Sequence, residues 1–365
     1  ENTAQAIFFE IQELENNRQV SEQRWVWELL QNALDATPQG KPTLVRITWD
    51  KTELVFEHNG DAFTLDELAH LVYHGSTKYG DPTKRGKFGR GFLVTHLLSK
   101  KVSVSGLGRD ADGVFSFNME LDRSGDADDV KQQMDVTWGQ IVNSRKLLSA
   151  AASKMGEFNT RYVYRPDSAE KQVVVLGMES AIRCLAWVLA STPELEDVSL
   201  VQPGVGISWR KERVWSGTSD NTLSFTCVHR QETPLVANGA SQPQNQRFTI
   251  VAKQLECNED QDAVTVGLML SADQTPEIVV DDSVPRFFAE GLPIIGTENI
   301  PLPFIIHSSK FEVESDRTGL HLEGAGTGQQ KNNWALLSKV PDLCCALLEY
   351  SSRENWHGLH LLANI

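Results

Sequence analysis

Two stretches of this 365-residue sequence carry residue types at spacings that do chemistry. The first is Gly86-Lys87-Phe88-Gly89-Arg90-Gly91-Phe92, a G-x-x-G-x-G turn that runs into the apolar stretch Phe92-Leu93-Val94-Thr95-His96-Leu97-Leu98, read as a helix. Glycines admit positive φ and let a ligand approach backbone N–H groups, and a helix start behind them adds partial positive charge. Such a turn is a candidate phosphate cradle, although glycine pairs also close ordinary loops. The second stretch is a helix whose core face is Val26, Leu29, Leu30, Ala33 and Leu34. On it Glu28, Asn32 and Asp35 fall at i, i+4 and i+7, setting a carboxylate, an amide and a second carboxylate in a row. A solvated polar face gives the same string; the flanking Trp25 and Trp27 argue against a wholly exposed one.

These residues need elements to hold them. Ile7, Phe8, Ile11 and Leu14 predict an opening helix, either an arm over the site or a plain packing helix. Ser21 is expected to cap the helix that Thr37-Pro38-Gln39-Gly40 ends. Leu44–Trp49 and Glu53–Glu57 predict a hairpin, followed by the corner His58-Asn59-Gly60-Asp61-Ala62-Phe63 and a Thr64-x-x-Glu67 capping box for a helix through Tyr73. The basic segment from His74 to Arg85 is a candidate lid, bringing Lys78, Lys84 or Lys87 near phosphates, or a surface loop. Strands are expected at 101–105, 114–119 and 160–164, with Thr160 placed to offer a hydroxyl, and an acidic solvent loop at Asp122 to Asp135. From Gln172 to Ala190 the run Val173-Val174-Val175-Leu176 reads as a strand or a helix start that leads into a buried helix. Strands dominate 198–320, and Trp334 to Leu348 reads as helical packing.

Composition bounds the classes. The formal charge of −15 repels a phosphate backbone, so direct nucleic-acid binding is not expected. Five cysteines without C-x-x-C spacing indicate free thiols. No uninterrupted apolar run reaches the roughly 18 residues of a membrane span, and no secretory pattern opens the sequence, so a cytoplasmic protein without membrane contact is expected.

Trp27-Glu28-Leu29-Leu30-Gln31-Asn32-Ala33-Leu34-Asp35-Ala36 resembles the N-box helix of the GHKL ATPases, the superfamily of gyrase, the ninety-kilodalton heat-shock chaperones, histidine kinases and MutL. Gly86 to Val104 is similar to the chaperone type of second glycine box with its following helix and strand. The His58-Asn59-Gly60-x-x-Phe63 corner, Gly75-Ser76-Thr77-Lys78 and Thr160-x-Tyr162-x-Tyr164 are most similar to the sacsin-like branch. The resemblance covers residues 20 to 165 and, more faintly, Leu302 to Arg317. It implies an α+β fold: a Bergerat-type sandwich over 1–190, with an antiparallel or mixed sheet and helices on one face, then a strand-rich transducer-like domain over 191–330. A helical segment over 331–365 is expected to continue into a longer protein. It implies Mg²⁺-dependent ATP binding and slow hydrolysis driving conformational change, with further domains or partner proteins and a nucleotide-dependent homodimer. Chaperone-like and phage-defence roles are both open, and a nucleotide sensor with little turnover is the alternative.

By that resemblance Glu28 orients or deprotonates the attacking water and Asn32 completes a Mg²⁺ shell. The amides of Gly86, Lys87, Phe88, Gly89, Arg90 and Gly91 hold the phosphates, with Phe92 behind them and Ser76, Thr77 and Lys78 in the closing segment. Asp35, His58, Asn59, Gly60 and Phe63 line the nucleoside end, with Thr160 beside the phosphates. Arg317, with Lys310 in reserve, reaches the γ-phosphate from the second domain. The first glycine box departs from the family: relatives place an aspartate, which accepts from the adenine amino group, where His58 stands. A neutral imidazole nitrogen can accept that bond; Asp61 or a water are alternatives.

Overall fold

The computed structural model describes residues 2–73, 91–149, 157–216, 222–235, 242–255, 263–271, 276–314, 317–323 and 326–362. It is a mixed α+β fold that divides into two compact units, residues 1–181 with 197–206 and 234–239, and residues 182–196 with 207–233 and 240–365.

The first unit begins with α1 (Asn2–Asn16), the single turn α2 (Arg18–Ser21) and α3 (Trp25–Ala36). Strands β1 (Thr43–Trp49) and β2 (Leu54–His58) form the expected hairpin, whose turn is fixed by the Asp50 carboxylate accepting from the Thr52 and Glu53 N–H groups. Then come β3 (Phe63–Thr64), α4 (Leu65–Tyr73), a 3-10 helix (Gly91–Leu97), β4 (Lys101–Asp110), β5 (Gly113–Asp122) and α5 (Ala127–Ser144). After β6 (Lys146–Leu147) and β7 (Thr160–Tyr164), α6 (Lys171–Ser191) and β8 (Leu195–Gln202) follow, α6 as far as Ala181 and β8 from Asp197 belonging to this unit. The strand order is β8-β1-β2-β7-β4-β5-β6, with β3 parallel on β4.

Helix α3 is anchored by its tryptophans. Trp25 Nε1 donates to the Val173 carbonyl at 2.9 Å and Trp27 Nε1 to Ser180 Oγ at 3.0 Å, both on α6. Gly177 makes room, since a Cβ there would overlap the Trp25 indole. Truncating either buried indole should cost about 3–5 kcal/mol. Helix α6 is long and apolar enough, by length and composition, to cross a membrane; 67% of the qualifying stretch is buried inside the protein, as in a core helix.

The second unit holds most of β9 (Val205–Ser216), then β10 (Leu223–Pro234), β11 (Gln244–Gln254), β12 (Thr265–Ser271), β13 (Glu277–Val279), β14 (Phe287–Ala289), β15 (Leu292–Pro293) and β16 (Ile305–Ser308). Their order is β15-β14-β16-β12-β11-β10-β9, with β13 on β12. Helices α7 (Gly328–Leu337) and α8 (Val340–Arg353) belong to this unit, and Leu336, Leu343 and Leu347 share one core with Val251, Leu268 and Phe304.

Three local expectations are corrected. Ser21 does not cap α3; it closes α2, and Arg24 stands at the N-cap position without a side-chain cap. The acidic stretch from Asp122 to Asp135 is not a solvent loop throughout: from Ala127 it is helix. Asp126 and Asp129 form a reciprocal capping box, and Val130, Met134, Thr137 and Ile141 bury one face of α5. The segment behind Gly91 coils as a 3-10 rather than an α-helix. The four described cysteines, Cys184, Cys227, Cys344 and Cys345, are free thiols.

Candidate functional site

Glu28 lies in the first turn of α3, where the helix dipole favours a carboxylate, and it is buried at 7% exposure. Its Oε1 accepts from Arg24 Nη2 at 3.3 Å, and both side chains are out of solvent. The other oxygen faces the glycine turn: a Cβ on Gly91 would fall on Glu28 Oε2. The last glycine of the G-x-x-G-x-G pattern and the first carboxylate of the helix face are therefore in direct apposition, about sixty residues apart in sequence. Asn32 and Asp35 lie on the same helix, half-buried. Among the described residues no group of three or more His, Cys, Asp or Glu is disposed to hold a metal.

The His58 to Phe63 corner is clamped onto the other end of α3. The Asp61 N–H donates to the Ala36 carbonyl at 2.7 Å, and a Cβ on Gly60 would strike Ala36 Cβ and the His58 ring. Asn59 does not present its amide to a ligand. Its Oδ1 accepts from the Leu44 N–H at 2.9 Å and its Nδ2 donates to the Pro42 carbonyl at 2.9 Å, tying the corner to the start of β1. Asn159 Nδ2 donates to the Gly60 carbonyl at 3.0 Å.

His58 and Thr160 are direct antiparallel partners, as are Phe56 and Tyr162, so the four side chains share one face of the sheet. His58 stacks on Tyr162 with centroids 6.2 Å apart and ring planes at 23°, and Phe92, next to Gly91, rests on the same Tyr162 at 5.7 Å. This aromatic run links the glycine turn to the corner. Burial pushes His58 down to about 4, so the ring is neutral at physiological pH. Its Nδ1 accepts from the Gly60 N–H at 3.1 Å. The lone pair expected to accept from a base is engaged by the protein's own backbone, and the proton of the neutral ring is on Nε2. Thr160 is 2% exposed, and its Oγ1 has no hydrogen-bond partner among the described residues. Phe63 packs edge-on against Phe117, centroids 5.9 Å apart.

Glu28, Asn32, Asp35, His58, Gly60, Gly91, Phe92 and Thr160 thus all belong to the first unit, where Glu28 meets Gly91, His58 pairs with Thr160 and bonds Gly60, and Phe92 and His58 share Tyr162. Ser76, Thr77, Lys78, Gly86, Lys87, Phe88, Gly89 and Arg90 lie outside the described residues. Lys310 and Arg317 belong to the second unit. Lys310 is exposed. Arg317 has a left-handed backbone, φ 56°, in a turn where its N–H donates to the Glu314 carbonyl at 2.8 Å. Two participants escape the motif reading: Arg24, visible only as the residue one turn before Glu28, and Asn159; Tyr162 stands in the Thr160-x-Tyr162-x-Tyr164 motif, but its packing on His58 and Phe92 does not follow from it.

No protein-family model matches the chain, and no curated protein matches it. Among solved structures it is similar to the ATPase and transducer domains of DNA topoisomerase II from Balamuthia mandrillaris, at 15% sequence identity and a TM-score of 0.33. The match covers 64% of this chain, and the chain spans 56% of the length of that one.

Proposed function

We propose that the first unit binds a purine nucleoside triphosphate with Mg²⁺, ATP by its resemblance to the GHKL ATPases, and hydrolyses it slowly to drive conformational change in a larger protein or complex. The observation that carries this reading is the apposition of Glu28 to Gly91: a buried carboxylate against a glycine of the turn that leaves no side chain in its way. Two sites where a Cβ would collide, Gly91 and Gly60, sit at opposite ends of α3, a spacing suited to a phosphate end and a nucleoside end. Asn32, between them, would hold the cation, which in such sites keeps several waters and takes its remaining ligands from the phosphates. Mg²⁺, when bound, supplies charge neutralisation for the phosphates. Glu28 accepts a proton from water or orients it, and Arg24 holds Glu28 Oε1, leaving Oε2 for that task. The Gly91 N–H and its neighbours bind oxyanions.

A second reading, a nucleotide sensor with little turnover, is favoured by that same Arg24 ion pair, because a buried partner restrains the carboxylate. Phosphate release measured beside nucleotide affinity separates the two. In the first reading Glu28→Ala abolishes turnover and retains binding, while Asn32→Ala weakens Mg·ATP binding itself. Wild-type hydrolysis in Glu28→Ala refutes the catalytic assignment, and wild-type protein that binds without measurable turnover favours the sensor.

A further inference from the structure

His58 and Thr160 stand in register on adjacent strands, on the sheet face that also carries Tyr162, so Thr160 is read here at the base end and not beside the phosphates. Both are almost completely buried. His58 Nε2 and Thr160 Oγ1 have no hydrogen-bond partner among the described residues. A buried polar group is normally paired, so the unpaired Thr160 Oγ1, beside the His58 imidazole, marks a place where a ligand supplies a partner. Because Nδ1 accepts from the Gly60 N–H, the ring is held in a single tautomer and Nε2 carries a hydrogen. His58 is therefore a donor toward whatever occupies the corner. Thr160 carries a hydroxyl that donates or accepts as required.

We infer that this pair reads a purine edge without selecting the 6-amino group, so that the site accepts adenine and 6-keto purine triphosphates alike. The inference rests on the nucleotide-binding reading above and concerns only its base end. Adenine offers an acceptor at N1 to His58 Nε2–H and a donor at its amino group to Thr160 Oγ1. Hypoxanthine and guanine, with the base shifted by one edge position, offer an acceptor at O6 to His58 Nε2–H and an acceptor at N7 to the Thr160 hydroxyl. A carboxylate in place of His58 accepts only. It would favour the adenine amino group and leave its own charge facing the carbonyl oxygen of a 6-keto purine. A buried protein group left unpaired in this way is what gives a site strong discrimination; His58 and Thr160 each find a partner on either base.

The test is competition binding of Mg·ATP, Mg·ITP and Mg·GTP to the full chain, with wild type and His58→Asp compared. In wild type ATP and ITP are expected to bind within about tenfold of each other. His58→Asp should move the ratio toward ATP by about tenfold or more. Thr160→Val, close in shape and lacking only the hydroxyl, should weaken both nucleotides together. Nitrogen-15 shifts of the His58 ring in the free protein give a readout that needs neither ligand nor variant: Nε2 protonated and Nδ1 bare is expected. Wild-type preference for ATP over ITP by more than about a hundredfold, or a ring protonated on Nδ1, overturns the inference and leaves triphosphate binding standing. Failure of all three nucleotides to bind overturns both.

Discussion

Replacing Gly91 with alanine sets a methyl group where the Glu28 carboxylate lies, nearer than any real Cβ contact. The carboxylate cannot yield freely: its Oε1 is held by Arg24, and both side chains are buried. Relieving the overlap needs a shift on the order of 1 Å, and misplacing a reacting group by that much costs about 10²-fold in rate. That corresponds to about 2.7 kcal/mol of transition-state stabilisation. Overpacking should also take about 1–3 kcal/mol from stability. The assay is single-turnover phosphate release at saturating Mg·ATP, with thermal unfolding recorded on the same samples. Gly139→Ala in α5 is the control, because an added Cβ there meets nothing; it should hydrolyse normally and gain about 0.5–1 kcal/mol. A Gly91→Ala protein that turns over at the wild-type rate refutes the placement of Glu28 against the turn.

Further outcomes follow from the same structure. Asp126→Ala removes the capping box of α5 and should cost about 1 kcal/mol, read as a lowered Tm; an unchanged Tm would return the acidic stretch to a loop. Gly177→Ala drives a Cβ into the Trp25 indole and should destabilise the first unit by about 1–3 kcal/mol in denaturant titrations, with no loss from a neighbouring exposed Val175→Ala change beyond about 0.5 kcal/mol. Burial holds His58 at about 4 and His96 at about 3, below the ordinary 6.5. The unfolded chain therefore takes these protons first, so the stability they lend is complete above about pH 6.5 and is lost as pH falls toward 4. The loss is up to about 1.4 kcal/mol per pH unit for each ring. Denaturant titrations at several pH values measure it, and a flat profile between about pH 7 and 5 contradicts it.

Where one local signal decided the structure, the sequence was legible. Leu54 and Phe56 with Val45, Ile47 and Trp49 supply one buried face of the hairpin, and Thr64 with Glu67 closes the helix start as their spacing predicts. The row Glu28, Asn32, Asp35 and its tryptophan anchors likewise follow from a period of 3.6. What escaped depends on partners far away or on competing readings of one residue type. Acidic residues at 126–129 suggested a solvated loop, yet at a helix start they are stabilising, and the spacing of Val130, Met134 and Ile141 carried the opposite message. The state of His58 could not be read from its neighbours in sequence, because it depends on where the Gly60 N–H points once the corner is clamped to Ala36. Arg24 stands one turn before Glu28, a spacing that allows the pair; only burial of both side chains gives it weight.

A crystal structure of this chain with a non-hydrolysable ATP analogue and Mg²⁺ tests the assignment of the α3 face most directly. The triphosphate is expected beside Gly91, with the cation on the Asn32 amide oxygen, the base against His58 and Thr160, and Glu28 Oε2 one water from the γ-phosphorus. A nucleotide bound away from α3, or none bound at saturating concentration, contradicts it.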